Sequence, residues 1–112
     1  MKTYEQPMEG NSFEYDGTNY DCKRAVRKDT ECIIREAERS HKEAFHRLYK
    51  TDSIKPEKVR LYVDDKDNIV YAMIIYTIDY KVGKTSRYAC GNYYPVENKT
   101  LCPHLFQGSI CW

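Results

Sequence analysis

The residues of this 112-residue chain that could do chemistry are its histidines, its carboxylates and arginines, and its cysteines. Cleaving a phosphodiester through a neighbouring ribose hydroxyl needs a carboxylate to take the proton, a histidine to protonate the leaving oxygen and an arginine to hold the developing charge. Lys58, Arg60 and Tyr62 alternate along one strand-like run and supply a phosphate holder with a stacking ring. The next run shows Ile69, Tyr71, Met73, Ile75, Thr77 and Asp79 on the same face, with no glutamate or histidine among them. His41 falls near the apolar stripe of a helix, as a core-edge residue, and His46 on its charged side. Glu36, Glu38 and Glu43 share that helix, whose wet surface neither shifts pKa values nor excludes solvent. His104, in Cys102-Pro103-His104, is the one histidine left open as an acid, and it has no carboxylate partner in the pattern. A phosphate holder without acid and base assigns no catalytic residue.

The cysteines point to architecture instead. There are five, without C-x-x-C pairs or adjoining histidine clusters, so zinc is disfavoured and no metal or cofactor is expected. Cys22 ends a hairpin and Cys111 lies one residue from the end of the sequence, which suggests a disulfide tying the ends together, with Cys102 as the alternative partner. Such a bridge would close a loop of about 90 residues and contribute roughly 4–5 kcal/mol in the chain-entropy model. An odd count leaves one thiol over, and thiols used in bridges are not nucleophiles. Disulfides place the protein in an oxidising compartment, hence secreted, and the Asn98-Lys99-Thr100 sequon agrees. The start lacks an apolar leader, which fits a mature form, and no apolar run approaches the roughly 20 residues that span a bilayer. With Lys and Arg at 18 against 17 Asp and Glu, no net field draws nucleic acid or anionic membrane.

The elements that must position these residues follow from pattern. Length and 41% hydrophobic content suit a single domain over 1–112, with residues 1–11 as an extended N-terminal arm. Aromatics alternate on both sides of Asp16-Gly17, a dipeptide that tolerates the positive φ angles of a type I′ turn, so Phe13 to Cys22 reads as a β-hairpin. Apolar residues at three- and four-residue steps predict a helix from about Asp29 to Lys50, capped by Asp29 or Thr30. Its stripe of Ile33, Ala37, Phe45 and Leu48 is expected to pack on Val70, Ile74 and Ile78. Val59, Leu61 and Val63 alternate as one strand, Ile69 to Tyr80 form a long central one, and Thr85 to Cys90 a third that Gly91-Asn92 breaks. The fold class is α+β: a hairpin, then one helix packed on an antiparallel sheet, with disulfide-tied termini.

This order, with Tyr20-Asp21-Cys22 closing the hairpin and Cys111 near the end, resembles the small microbial ribonucleases of the T1/N1 type. More specifically, it is similar to the ribonuclease-like secreted effectors of powdery mildew fungi, over about Ser12 to Cys111. The resemblance implies a ribonuclease T1-like fold, secretion into a plant host cell, lost nuclease catalysis and, for some members, recognition by an intracellular immune receptor. The expected function is that of a non-enzymatic virulence effector binding host macromolecules, a host plant protein foremost, with weak RNA binding and no membrane partner, as a monomer. An active or weakly active secreted ribonuclease and another small secreted disulfide-rich toxin or inhibitor are the alternatives. Eleven tyrosines suit a recognition surface as well as a β-rich core. The candidate interaction surface is Arg60, Tyr62 and Tyr71, the turn with Asp65 and Lys66, and the loop with Tyr93 and Tyr94.

Overall fold

The computed structural model describes residues 1–83 and 85–103. In chain order the elements are β1 (Lys2–Pro7), β2 (Ser12–Tyr15), β3 (Thr18–Asp21), α1 (Lys23–His41), α2 (Ala44–Leu48), β4 (Lys55–Val63), β5 (Ile69–Asp79), β6 (Ser86–Glu97) and β7 (Thr100–Leu101). The fold is α+β, with one main helix and a 7-stranded sheet ordered β1-β4-β5-β6-β7-β3-β2. Neighbours pair antiparallel except β3 and β7, which run parallel through Asp21 and Thr100.

The hairpin forms as its sequence dictates. Asp16 and Gly17 have φ of 52° and 76°, the paired positive values of a type I′ turn, and Phe13 stacks on Tyr20 with ring centroids 5.0 Å apart. The N-terminal arm is extended and pairs as β1 along β4, Glu5 opposite Arg60. Between β4 and β5 the Asp64 carboxylate accepts bonds from the backbone N–H groups of Lys66 and Asn68, both at 2.9 Å, which shapes the turn. Val59 faces Ile74 and Leu61 faces Ala72, the register that alternation requires.

The helix departs from its expected limits at both ends. It begins at Lys23, not Asp29, because Ala25, Asp29, Ile33 and Ala37 form one buried stripe at four-residue steps. Asp29 is therefore no cap. The Asp21 carboxylate accepts the Lys23 N–H at 3.1 Å instead. At the far end Lys42 takes a φ of 52°, stopping α1 and turning the chain into α2. That break rotates the apolar stripe, so Phe45 and Tyr49 enter the core with Ala37 and Ile78 while Leu48, expected inside, is 42% exposed.

The third sheet strand also runs on past its expected end. Met73 pairs with Tyr93 and Ile75 with Cys90, so β6 carries an extra residue at Gly91-Asn92: a β-bulge where a strand end was predicted. The main core lies between α1 and the inner sheet face, where Ala25 and Ile33 pack with Val59, Leu61, Ile74, Tyr76, Ala89 and Tyr94. Cys22 is a buried thiol there, its pKa pushed up to about 12 by burial. Cys111 and His104 lie outside the described residues. Among the described residues no helix is long and apolar enough to cross a membrane.

Candidate functional site

The sheet face turned away from α1 carries most of the charged and aromatic residues singled out above. Strand pairing sets Glu5 beside Arg60, Arg60 beside Met73 and Met73 beside Tyr93, and sets Tyr62 beside Tyr71. Further along, Lys58 lies opposite Ile75, and Thr77 opposite Tyr88. Met73, Ile75 and Thr77 are buried, so this face has a packed apolar floor under a rim of long polar side chains. β5 is thus buried on both faces, which explains its nearly unbroken apolar run.

Across the edge pair of β1 and β4 stands an ion triad. Glu5 Oε1 accepts from Lys58 Nζ at 3.0 Å, and Oε2 from Arg60 Nη2 at 2.8 Å and Nε at 2.9 Å. The Lys58 ammonium, then the Arg60 guanidinium, hold the Glu5 carboxyl below its usual range. Hydrogen bonding by Tyr62 and then Glu5 holds Arg60 above its own. Tyr62 and Tyr93 meet edge to face with centroids 5.5 Å apart, and Lys58 Nζ lies 5.6 Å from the centroid of the Tyr88 ring. A groove of about 250 Å³ opens beside Lys58, lined by Glu5, Gln6, Pro7, Glu57 and Tyr88.

Of the residues expected on an interaction surface, Arg60, Tyr62, Tyr71 and Tyr93 share this face. Asp65 and Lys66 are in the β4–β5 turn, which Tyr15 touches through a 3.4 Å bond to the Asp67 carbonyl. Tyr94 does not belong to it. It points inward and is fully buried, because the Gly91 bulge shifts the alternation of β6. Glu5 and Tyr88 were missed: Glu5 sits in an arm with no periodicity, and only pairing with β4 places it. Arg87 lies on the inner side, with Nη1 at 3.4 Å from the Tyr49 hydroxyl.

Tyr94 joins a polar knot under the helix. Asp29 Oδ1 accepts from Tyr94 Oη at 2.6 Å, Asn92 Nδ2 at 2.9 Å and the Asn92 backbone N–H at 3.0 Å, while Oδ2 accepts from Tyr76 Oη at 2.6 Å. Burial nevertheless outweighs these donors and raises the Asp29 pKa. A Cβ on Gly91 would overlap this carboxylate, its Cγ at 2.7 Å, so only glycine lets β6 approach α1 here. The knot is enclosed and fully bonded, which makes it a clamp between helix and bulge.

As acid–base chemistry the outer face is poorly equipped. A carboxylate held ionised by two cations is a weak base. The histidines of the described residues sit in the helical layer, where His46 bonds Glu38 at 3.1 Å and the His41 ring tilts against Tyr49. Among those residues no group of His, Cys, Asp and Glu could hold a metal. Comparison with protein-family models, curated proteins and solved structures gives no match for this chain.

Proposed function

We propose that this protein is a secreted effector of the powdery mildew type, using a ribonuclease-like scaffold to bind host macromolecules through its outer sheet face without cleaving them. The observation that carries the reading is the state of Arg60: its fork is engaged by Glu5 on a face crowded with tyrosines. Tyrosine and arginine over a rigid, packed floor are the usual anchors of a protein interface. The order of hairpin, helix and antiparallel sheet supports the scaffold assignment, and a Cys22–Cys111 bridge belongs to the same proposal.

The test exchanges Arg60, Tyr62, Lys66, Tyr71 and Tyr93 singly for alanine, with host binding or immune recognition measured beside thermal stability. One or two exchanges are expected to cost 2 kcal/mol or more, about thirtyfold in affinity, with melting unchanged. Recognition lost only in variants that unfold would refute a separable surface.

The contact between Glu5 and Arg60 also favours a second reading, a weakly active ribonuclease. Glu5 would then be the base, Arg60 and Tyr62 the phosphate holders and His104 the acid. RNA cleavage that depends on both Glu5 and His104 would establish it.

A further inference from the structure

Where α2 meets the turn between β5 and β6, the fold builds a second surface. Tyr49 pairs with Tyr80, the Lys50 N–H donates to the Asp79 carbonyl at 2.9 Å, and the Lys81 N–H donates to the Leu48 carbonyl at 2.8 Å. These bonds fix Leu48 beside Lys81 and close to Val82, although the two segments are distant in sequence. Val82 is 87% exposed and Leu48 42%, so two aliphatic side chains stand in water at one place. Singly exposed aliphatic residues are ordinary, whereas a fixed pair ringed by cations calls for a partner. Residues 42–50 and 81–83 hold Lys42, Arg47, Lys50 and Lys81 against Glu43 alone, with Asp52 just beyond. All four cations are exposed, and among the described residues none is ion-paired. Asp79, at the base of the turn, accepts the Ser86 hydroxyl at 2.6 Å. Charges that nearly cancel over the whole chain are thus unbalanced here.

We infer that this end of the molecule docks on an anionic phospholipid bilayer, with Val82 and Leu48 entering the headgroup boundary while Arg47, Lys50 and Lys81 meet the lipid headgroups. Lysine decides between a membrane and a protein. It is depleted from the cores of protein interfaces, whereas at a bilayer its stem covers apolar surface and its ammonium stays among the headgroups. Each cation near an anionic leaflet strengthens binding about fivefold, and the aliphatic pair adds a contribution that salt does not screen. A contact of this size is a reversible, peripheral hold. It replaces the expectation of no membrane partner, which rested on net charge. Leu48 belongs to the helical layer and Val82 to a turn, so the outer sheet face stays free for the partner proposed above.

Sedimentation of the protein with phosphatidylcholine vesicles that contain or lack about 30% phosphatidylserine tests this. Binding is expected to be at least about tenfold tighter on the anionic vesicles and to weaken as salt rises. Val82→Asp should cost about tenfold and Lys81→Gln about fivefold, both with melting unchanged because each side chain is exposed. Val82→Trp should bind more tightly than wild type, since an indole prefers the headgroup boundary. Arg24→Gln makes the same change in net charge as Lys81→Gln at an exposed site in the first turn of α1, and should leave affinity at the wild-type level. Equal losses for Lys81→Gln and Arg24→Gln, equal binding to neutral and anionic vesicles, or binding to neither would overturn the inference. So would displacement of the vesicles by soluble glycerophosphoserine, which would mean a headgroup pocket. Capture of polyglutamate, unaffected by Val82→Asp and as tight as that of the vesicles, would assign the cluster to an acidic protein and overturn it as well. None of these outcomes touches the outer sheet face, so the function proposed above stands or falls separately.

Discussion

Asp29 is the residue on which the inner architecture turns, since a carboxylate deep between helix and sheet is tolerable only while its acceptor sites are filled. Tyr76→Phe removes a 2.6 Å bond to Oδ2 and should lower stability by about 1–3 kcal/mol in chemical denaturation, with no change in outer-face binding. Because burial raises the Asp29 pKa in the fold, the protonated form is favoured there. Its contribution is therefore full below the ordinary carboxylate pKa and is lost as pH rises through the elevated folded value. Melting temperatures of wild type and Asp29→Asn, compared from about pH 4 to about pH 7, should drift in favour of the variant as pH rises. A gap that is constant or drifts the other way would contradict this. Thr77 offers the converse case: its hydroxyl is buried without a hydrogen-bond partner among the described residues. Thr77→Val should thus be neutral or stabilising by up to about 1 kcal/mol, and a loss of that size would show an unrecognised bond.

At the scale of elements, what was legible in the sequence is what depends on local periodicity. The Asp16-Gly17 turn, the alternation of Val59, Leu61 and Val63 and the inward row Ala72, Ile74, Tyr76 and Ile78 all appear as their patterns require. The errors arise where tertiary contacts override pattern. Nothing between Glu31 and Lys50 signals a helix break, because a lysine rather than a glycine takes the positive φ that ends α1. Leu48→Ala should accordingly cost under about 1 kcal/mol, and Phe45→Ala about 3–5 kcal/mol, when both are unfolded in denaturant. Gly91-Asn92 reads as a strand breaker, but here the glycine is a bulge that makes room for the Asp29 carboxylate. Gly91→Ala should destabilise by about 1–3 kcal/mol or more through overlap with that group. A Gly91→Ala protein as stable as wild type would mean that helix and bulge are not clamped as described.

For the whole molecule, the two sides of the sheet divide the work: the inner side fastens the helix, and the outer side presents charge and rings over a packed floor. Part of the outer site could be read from Lys58, Arg60, Tyr62 and Tyr71, whose strands announce themselves, whereas Tyr93, expected in a loop, joins the face only because β6 runs on through the bulge. Glu5 could not, because an arm of mixed composition gains a face only when it pairs with a strand far away in sequence. The identity of that neighbour decides what the face can do. A carboxylate beside an arginine is what a ribonuclease requires, yet one clamped between Lys58 and Arg60 is already neutralised. The most direct measurement incubates purified wild type, Glu5→Gln and His104→Ala with labelled single-stranded RNA and follows product release against a buffer control. The expected result is intact RNA in every sample. Cleavage by the wild type that vanishes in both Glu5→Gln and His104→Ala would contradict the binding account and make this face an active site.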